Sequence, residues 1–152
     1  MPKYSKRSEE NLATCNETIQ RVFRWVLERY DHTIIEGHRP KERQDEMVRL
    51  GRSKTPWPTS KHNAMPSNAV DAGPYIPGRG IPWPKPPKDW RDKDARQQYI
   101  KDLCQWYHFA GYVEGMAHAM GIDNWRWGGD WDRDHDLQDQ TFDDLPHHEC
   151  ED

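Results

Sequence analysis

The stretch Ser60–Asp71, SKHNAMPSNAVD, decides how the chain reads. It sets an imidazole, His62, and a carboxylate, Asp71, on either side of a short loop that enters the apolar pair Ala69–Val70. Imidazole nitrogen and carboxylate oxygen are both zinc donors, and a catalytic zinc takes about three protein ligands and leaves one position for water. A third donor is available near the C-terminal end, in DDLPHHE, where Asp144 precedes His147 by three residues and Pro146 stiffens the approach. His148 competes with His147, but neighbours on a strand point to opposite faces, so one of them at most joins a shared site. The expectation is a divided hydrolytic zinc site of His62, Asp71 and His147. Asp144 stands beside it as the base for the water's proton, and Arg39, the best-placed free cation in a loop, faces the developing oxyanion. Spacing alone favours a loop histidine and a capping aspartate over a metal site.

Working outward, the apolar positions Leu12, Cys15, Ile19, Val22, Phe23, Val26, Leu27 and Tyr30 recur at helical spacing behind Ser8, a candidate N-cap followed by Glu9 and Glu10. They predict one amphipathic helix to about Tyr30. Thr33–Glu36 reads as a short strand closed by Gly37, and Lys41–Leu50 as a helix stopped by Gly51. Ala69–Asp71 opens a second strand. Residues 73–90 are rich in Pro and Gly, with Trp83 and Trp90 among the prolines, a length at which loops tend to be functional. Asp94–Met120 is the longest helical pattern; His108 and His118 within it lack a helical partner and read as surface or packing residues. Ile122–Trp131 reads as a strand, a Gly-Gly turn and a returning strand, with Trp125 and Trp127 alternating with Arg126.

With 152 residues, 34% of them hydrophobic and 32% charged, the chain suits a single domain, residues 1–152, with one modest core and a wet surface. Eight Trp, six Tyr and three Phe argue against disorder. The net charge of −4 conceals an asymmetry: from Asp123 onward there are 11 acidic against 2 basic residues. An acidic tail on a weakly basic body excludes a nucleic-acid footprint, which needs a concentrated basic face. Cys15, Cys104 and Cys150 are odd in number and lack a CxxC, which points to incidental thiols in a reducing compartment. Neither a signal peptide nor a membrane span is expected, so the chain is expected to be made in the cytoplasm.

The motifs in their order resemble the zinc peptidases that include D-alanyl-D-alanine carboxypeptidases and phage L-alanyl-D-glutamate endolysins and share their fold with the hedgehog signalling domain. The resemblance rests on Gly37-His38-Arg39 with Gln44, on Ser60-Lys61-His62 leading to Ala69-Val70-Asp71, on Arg-Trp-Gly-Gly-Asp-Trp at 126–131, and on Asp144-Leu145-Pro146-His147. It covers about residues 34–149. It implies an α+β fold in which a small antiparallel sheet packs against helices, zinc ligands His62, Asp71 and His147, a base at Asp144 and oxyanion stabilisation by Arg39. His38, Gln44, Ser60 and Trp127 are then expected to contact substrate. Two departures stand out: Met65, Pro66 and Ser67 lengthen the loop between the first two ligands, and His38 replaces the usual Tyr.

Asp130, Asp132, Asp134 and Asp136 have the alternate spacing that opens a calcium loop, although His135 stands where the loop glycine belongs and Thr141 where its Glu belongs. A second, calcium site is therefore a further expectation. The function implied by the resemblance is a zinc-dependent endolysin that cleaves the peptide stems of bacterial peptidoglycan, acting as a monomer after release to the wall and without a separate wall-binding domain. The alternatives are a D-alanyl-D-alanine carboxypeptidase and a non-catalytic metal-binding module of the same fold.

Overall fold

The computed structural model describes all residues 1–152. The first helical pattern is two helices, α1 (Lys6–Ala13) and α2 (Glu17–Leu27). Ser5 rather than Ser8 caps α1, accepting a hydrogen bond from the Ser8 amide at 3.1 Å, and Asn16 caps α2 through the Ile19 amide at 2.9 Å. The break arises because the chain at 14–16 is stitched to the 60–71 loop. The Ser67 amide donates to the Thr14 carbonyl and the Asn16 amide to the Ser67 carbonyl, at 2.8 and 2.9 Å. The apolar stripe continues across the break, since Leu12, Cys15, Ile19, Val22, Phe23 and Val26 all enter one core. Periodicity therefore identified the buried face and missed the interruption.

Four strands, β1 (His32–Glu36), β2 (Ala69–Pro74), β3 (Arg126–Trp127) and β4 (His147–Glu149), form an antiparallel sheet in the order β1-β2-β4-β3. Trp127 and Asp130 form only an isolated bridge, so the expected strand return after Gly128-Gly129 does not exist. The partner of β3 is β4, about twenty residues later, and local pattern cannot reveal such a pairing. The register places Asp71 opposite His147, Val70 opposite His148 and Ala69 opposite Glu149. Because side chains alternate between faces, Asp71, His147 and Glu149 share one face while Val70, Ala72 and His148 share the other.

That second face, with Ile34 of β1, packs against α1, α2 and the 27-residue helix α4 (Lys93–Ala119), and buries Phe109, Val113, Ala117 and Trp125 in the same core. Asp92 caps α4 through the Ala95 amide at 3.0 Å. The Pro- and Trp-rich loop is strapped to α4: Trp106 Nε1 donates to the Pro82 carbonyl at 2.8 Å, and Arg79 grips Asp102 with two bonds of 2.7 and 2.8 Å. His108 and His118 are exposed on α4. Helix α3 (Lys41–Arg49) lies beside the polar sheet face. No helix is long and apolar enough to cross a membrane.

Candidate active site

A cleft of about 500 Å³ opens on the polar sheet face, and His62, Asp71, Asp144 and His147 all line it. His62 sits on a single 3-10 turn, Lys61–Asn63, that Ser60 caps. This turn is tied to the loop after β1, since the Arg39 amide donates to the His62 carbonyl at 2.8 Å and Asn63 Nδ2 to the Arg39 carbonyl at 3.0 Å. Asp71 comes from β2 and His147 from β4, directly across the register. The lengthened loop between His62 and Asp71 leaves both in place: Met65 projects 70% exposed into solvent while Ser67 is anchored to the helix break.

The three side chains converge on one point. His62 Nε2 lies 3.2 Å from Asp71 Oδ1 and 3.3 Å from His147 Nδ1, which is 3.5 Å from the same Asp71 oxygen. A tetrahedral ion with bonds of about 2.0–2.1 Å needs donor-to-donor edges of about 3.3 Å. The rear nitrogens settle the tautomers. His62 Nδ1 donates to the Gly37 carbonyl at 2.7 Å and His147 Nε2 to Glu149 Oε2 at 2.8 Å, so in its neutral form each ring turns the lone pair of its other nitrogen toward Asp71. That point is occupied by a proton or by a cation, and the group can hold a metal ion.

Electrostatics agree with that geometry. Burial opposes charge on His147, yet hydrogen bonds to Asp71 and Glu149 push its pKa up to about 9. Burial would raise the Asp71 carboxyl, but the two histidines hold it well below the ordinary carboxylate range. The pocket thus favours positive charge at its centre. Asp144 is outside the donor group and moves the other way: burial, then the Asp71 charge, raise its pKa against the pull of His147, His62 and Arg39. Its position depends on the Gly-Gly turn. The Asp144 amide donates to the Gly128 carbonyl at 2.6 Å, and a Cβ on Gly128 would meet the Asp144 carbonyl oxygen at 2.3 Å.

Several expected roles change. Arg39 is 5% exposed and is no free cation, because a buried guanidinium needs partners. Its Nε donates to Glu36 Oε1 at 2.6 Å, Nη1 to Gln44 Oε1 at 3.1 Å, and Nη2 lies 3.5 Å from Asp71 Oδ2. It reaches the cleft as the partner of a candidate ligand. Gln44 is fully buried, and its amide also serves Ser53, Thr55 and Asn63, so it braces the wall rather than touching substrate. Trp127 is likewise buried, with Nε1 donating to the Leu145 carbonyl at 2.8 Å beneath the Asp144 segment. His38 lies off the cleft and bonds the Ala64 carbonyl at 2.9 Å through Nδ1. Ser60 does line the cleft. His148 points into the core against Phe23 and Trp125, where burial and then the His147 charge press its pKa down to about 3.

In the acidic loop, carboxylates of Asp130, Asp132 and Asp134 lie within 4.8 Å of one another, whereas Asp136 is outside the group. Asp136 Oδ1 accepts from the Gln138 amide instead. Asp130 is 1% exposed, and its Oδ1 has no hydrogen-bond partner. Sequence reading missed Glu36, Trp131 and Glu149. Glu149 had a usable signal, since a residue two positions after His147 on a strand shares its face.

The profile of the phage L-alanyl-D-glutamate peptidases matches residues 1–150. The chain belongs to the phage L-alanyl-D-glutamate peptidase family. The L-alanyl-D-glutamate peptidase of Escherichia phage T5 is 33% identical over 131 residues, which cover 85% of each chain. Among solved structures, the Serratia marcescens L-Ala D-Glu endopeptidase ChiX superposes with a TM-score of 0.61 at 27% identity, over 97% of this chain and 89% of that one. This peptidase therefore has the α+β hedgehog-like arrangement that its motifs implied.

Proposed function

We propose that this peptidase hydrolyses the L-alanyl-D-glutamate bond of peptidoglycan stems and that its ion is zinc, held by His62, Asp71 and His147. The observation that carries the reading is the set of three donor separations, 3.2, 3.3 and 3.5 Å, with both imidazoles turned inward by their rear hydrogen bonds. Two nitrogens and one carboxylate oxygen with room for a fourth ligand suit a catalytic zinc. When bound, zinc supplies Lewis acidity to the scissile carbonyl and to water.

Asp144 takes a proton from the attacking water as its oxygen bonds the carbonyl carbon. The same carboxyl returns that proton to the leaving amine as the C–N bond breaks. Its raised pKa suits both halves, because a group nearer neutrality accepts and releases a proton with similar ease. Arg39 holds Asp71 in place and adds positive potential where negative charge grows. Purified cell walls would be digested with the protein as isolated, after chelation and after zinc return. Mass spectrometry is expected to find stems ending in L-alanine beside peptides beginning with D-glutamate, lost on chelation and restored by zinc. Release of single alanine residues would establish the carboxypeptidase instead, and no cleavage by the zinc-loaded chain would favour a binding module.

The buried, unpartnered Asp130 Oδ1 favours a second cation between Asp130, Asp132 and Asp134. An all-oxygen cluster selects calcium over zinc. Calcium is expected to raise the melting temperature of the zinc-loaded parent and to leave Asp130→Asn unmoved; an equal shift in both would refute the site.

A further inference from the structure

The two candidate histidine ligands are supported by different chemistry. Behind His62 stands a neutral backbone carbonyl, that of Gly37. Behind His147 stands the carboxylate of Glu149, only 8% exposed, at 2.8 Å from Nε2. The second oxygen of that carboxylate is also committed. Arg126 Nε donates to Glu149 Oε1 at 2.7 Å, and Nη2 contacts the same oxygen, across the register that pairs the two residues on β3 and β4. The third nitrogen of the guanidinium, Nη1, donates to the Trp131 carbonyl at 3.3 Å, while its carbon sits 5.3 Å above the Trp131 ring. That ring lies against His147, with centroids 5.4 Å apart and planes at 35°.

We propose that Glu149 is a positioning residue for the metal, and that Arg126 and Trp131 exist in the Arg-Trp-Gly-Gly-Asp-Trp block to hold it and the ring it serves. The inference rests on the zinc reading above. A carboxylate behind an imidazole fixes its tautomer, aims the opposite nitrogen and strengthens it as a donor, and loss of such a partner costs about 10–100-fold in metal affinity. Arg126 balances the Glu149 charge, so the ring gains this support without surplus negative charge in the cleft. Trp131 closes the remaining freedom, the rotation of the ring out of the donor plane.

Zinc affinity of the whole chain, measured by competition with a chromogenic chelator, tests this directly. Glu149→Ala is expected to weaken zinc binding about 10–100-fold. Glu149→Gln keeps an acceptor without the charge and should lose less. Arg126→Ala should fall between Glu149→Gln and the parent, with Arg126→Lys recovering part of the loss. Cobalt-loaded Glu149→Gln is expected to show altered visible absorption, a readout that general destabilisation does not move. If Glu149→Ala does not fold, Glu149→Gln and Arg126→Ala decide. Affinities within about twofold of the parent in both, with an unchanged cobalt spectrum, overturn the inference. His62→Ala separates the two layers: if it loses zinc while the Glu149 variants do not, only the positioning role fails. If it binds zinc like the parent, the ligand assignment fails, and the positioning role with it.

Discussion

His147 and His148 are neighbours on a three-residue strand, both buried, and opposite in chemistry. On the cleft face, Asp71 and Glu149 flank His147 and overcome burial, so its pKa rises to about 9. On the core face His148 meets Phe23, Phe109 and Trp125, and its pKa falls to about 3. Burial alone therefore says nothing about whether a histidine is functional. The partner on the rear nitrogen and the charge in front decide it.

The sharpest way to break this contrast is to remove each ring in turn. His147→Ala is expected to lower kcat/KM on the order of 10³-fold or more and to abolish tight zinc binding, as one of three proposed ligands goes. His148→Leu should keep kcat/KM within a few-fold while changing the melting temperature, which activity assays and calorimetry on both variants would show. A large loss of activity in His148→Leu would mean that the two faces are not independent. Next in size, Asp144→Asn should cost about 10²–10⁴-fold in kcat with zinc affinity preserved, separating the proposed base from the ligands on the same face. Gly128→Ala follows, because its Cβ would push the Asp144 backbone away. A misplacement of about 1 Å can cost about 10²-fold, and it should appear in kcat at unchanged zinc affinity.

The smallest effect belongs to the core face and is read in stability. Burial presses His32, another core-face ring, down to about 4. Between the unfolded value of about 6.5 and that folded value, the unfolded chain binds more protons. Stability is therefore full above about pH 6.5 and declines as pH falls toward 4. Denaturant titrations across that range should show the decline in the parent and a flatter dependence in His32→Phe, by up to about 1.4 kcal/mol per pH unit.

The divided ligand set was legible because histidine and aspartate bracketing a strand are chemically conspicuous, and because order along the chain carried the family pattern. The supports were harder to read. Glu149 and Arg126 look like solvated charges until the β3–β4 register brings them together, and Glu36 looks like a strand end until it meets the buried Arg39. Their place in the motifs points Gln44 and Trp127 toward substrate, whereas their polar atoms are spent on the walls of the cleft. The break at 14–16 escaped because an apolar stripe does not register a cap when both helices face one core.

The Gly128 contact has a consequence for the segment that follows it. Gly128 donates to the His147 carbonyl at 2.8 Å, and the Asp144 amide returns to the Gly128 carbonyl at 2.6 Å, so residues 129–143 leave and re-enter the sheet at nearly the same point. Such an excursion has its closure set at the neck, and added length there costs only about 0.6 kcal/mol per doubling. Beyond Trp131, whose ring stays against His147, the acidic residues 132–139 are thus a replaceable cartridge: their sequence, length and affinity for cations can drift or be exchanged while the proposed base and third ligand stay fixed to one glycine.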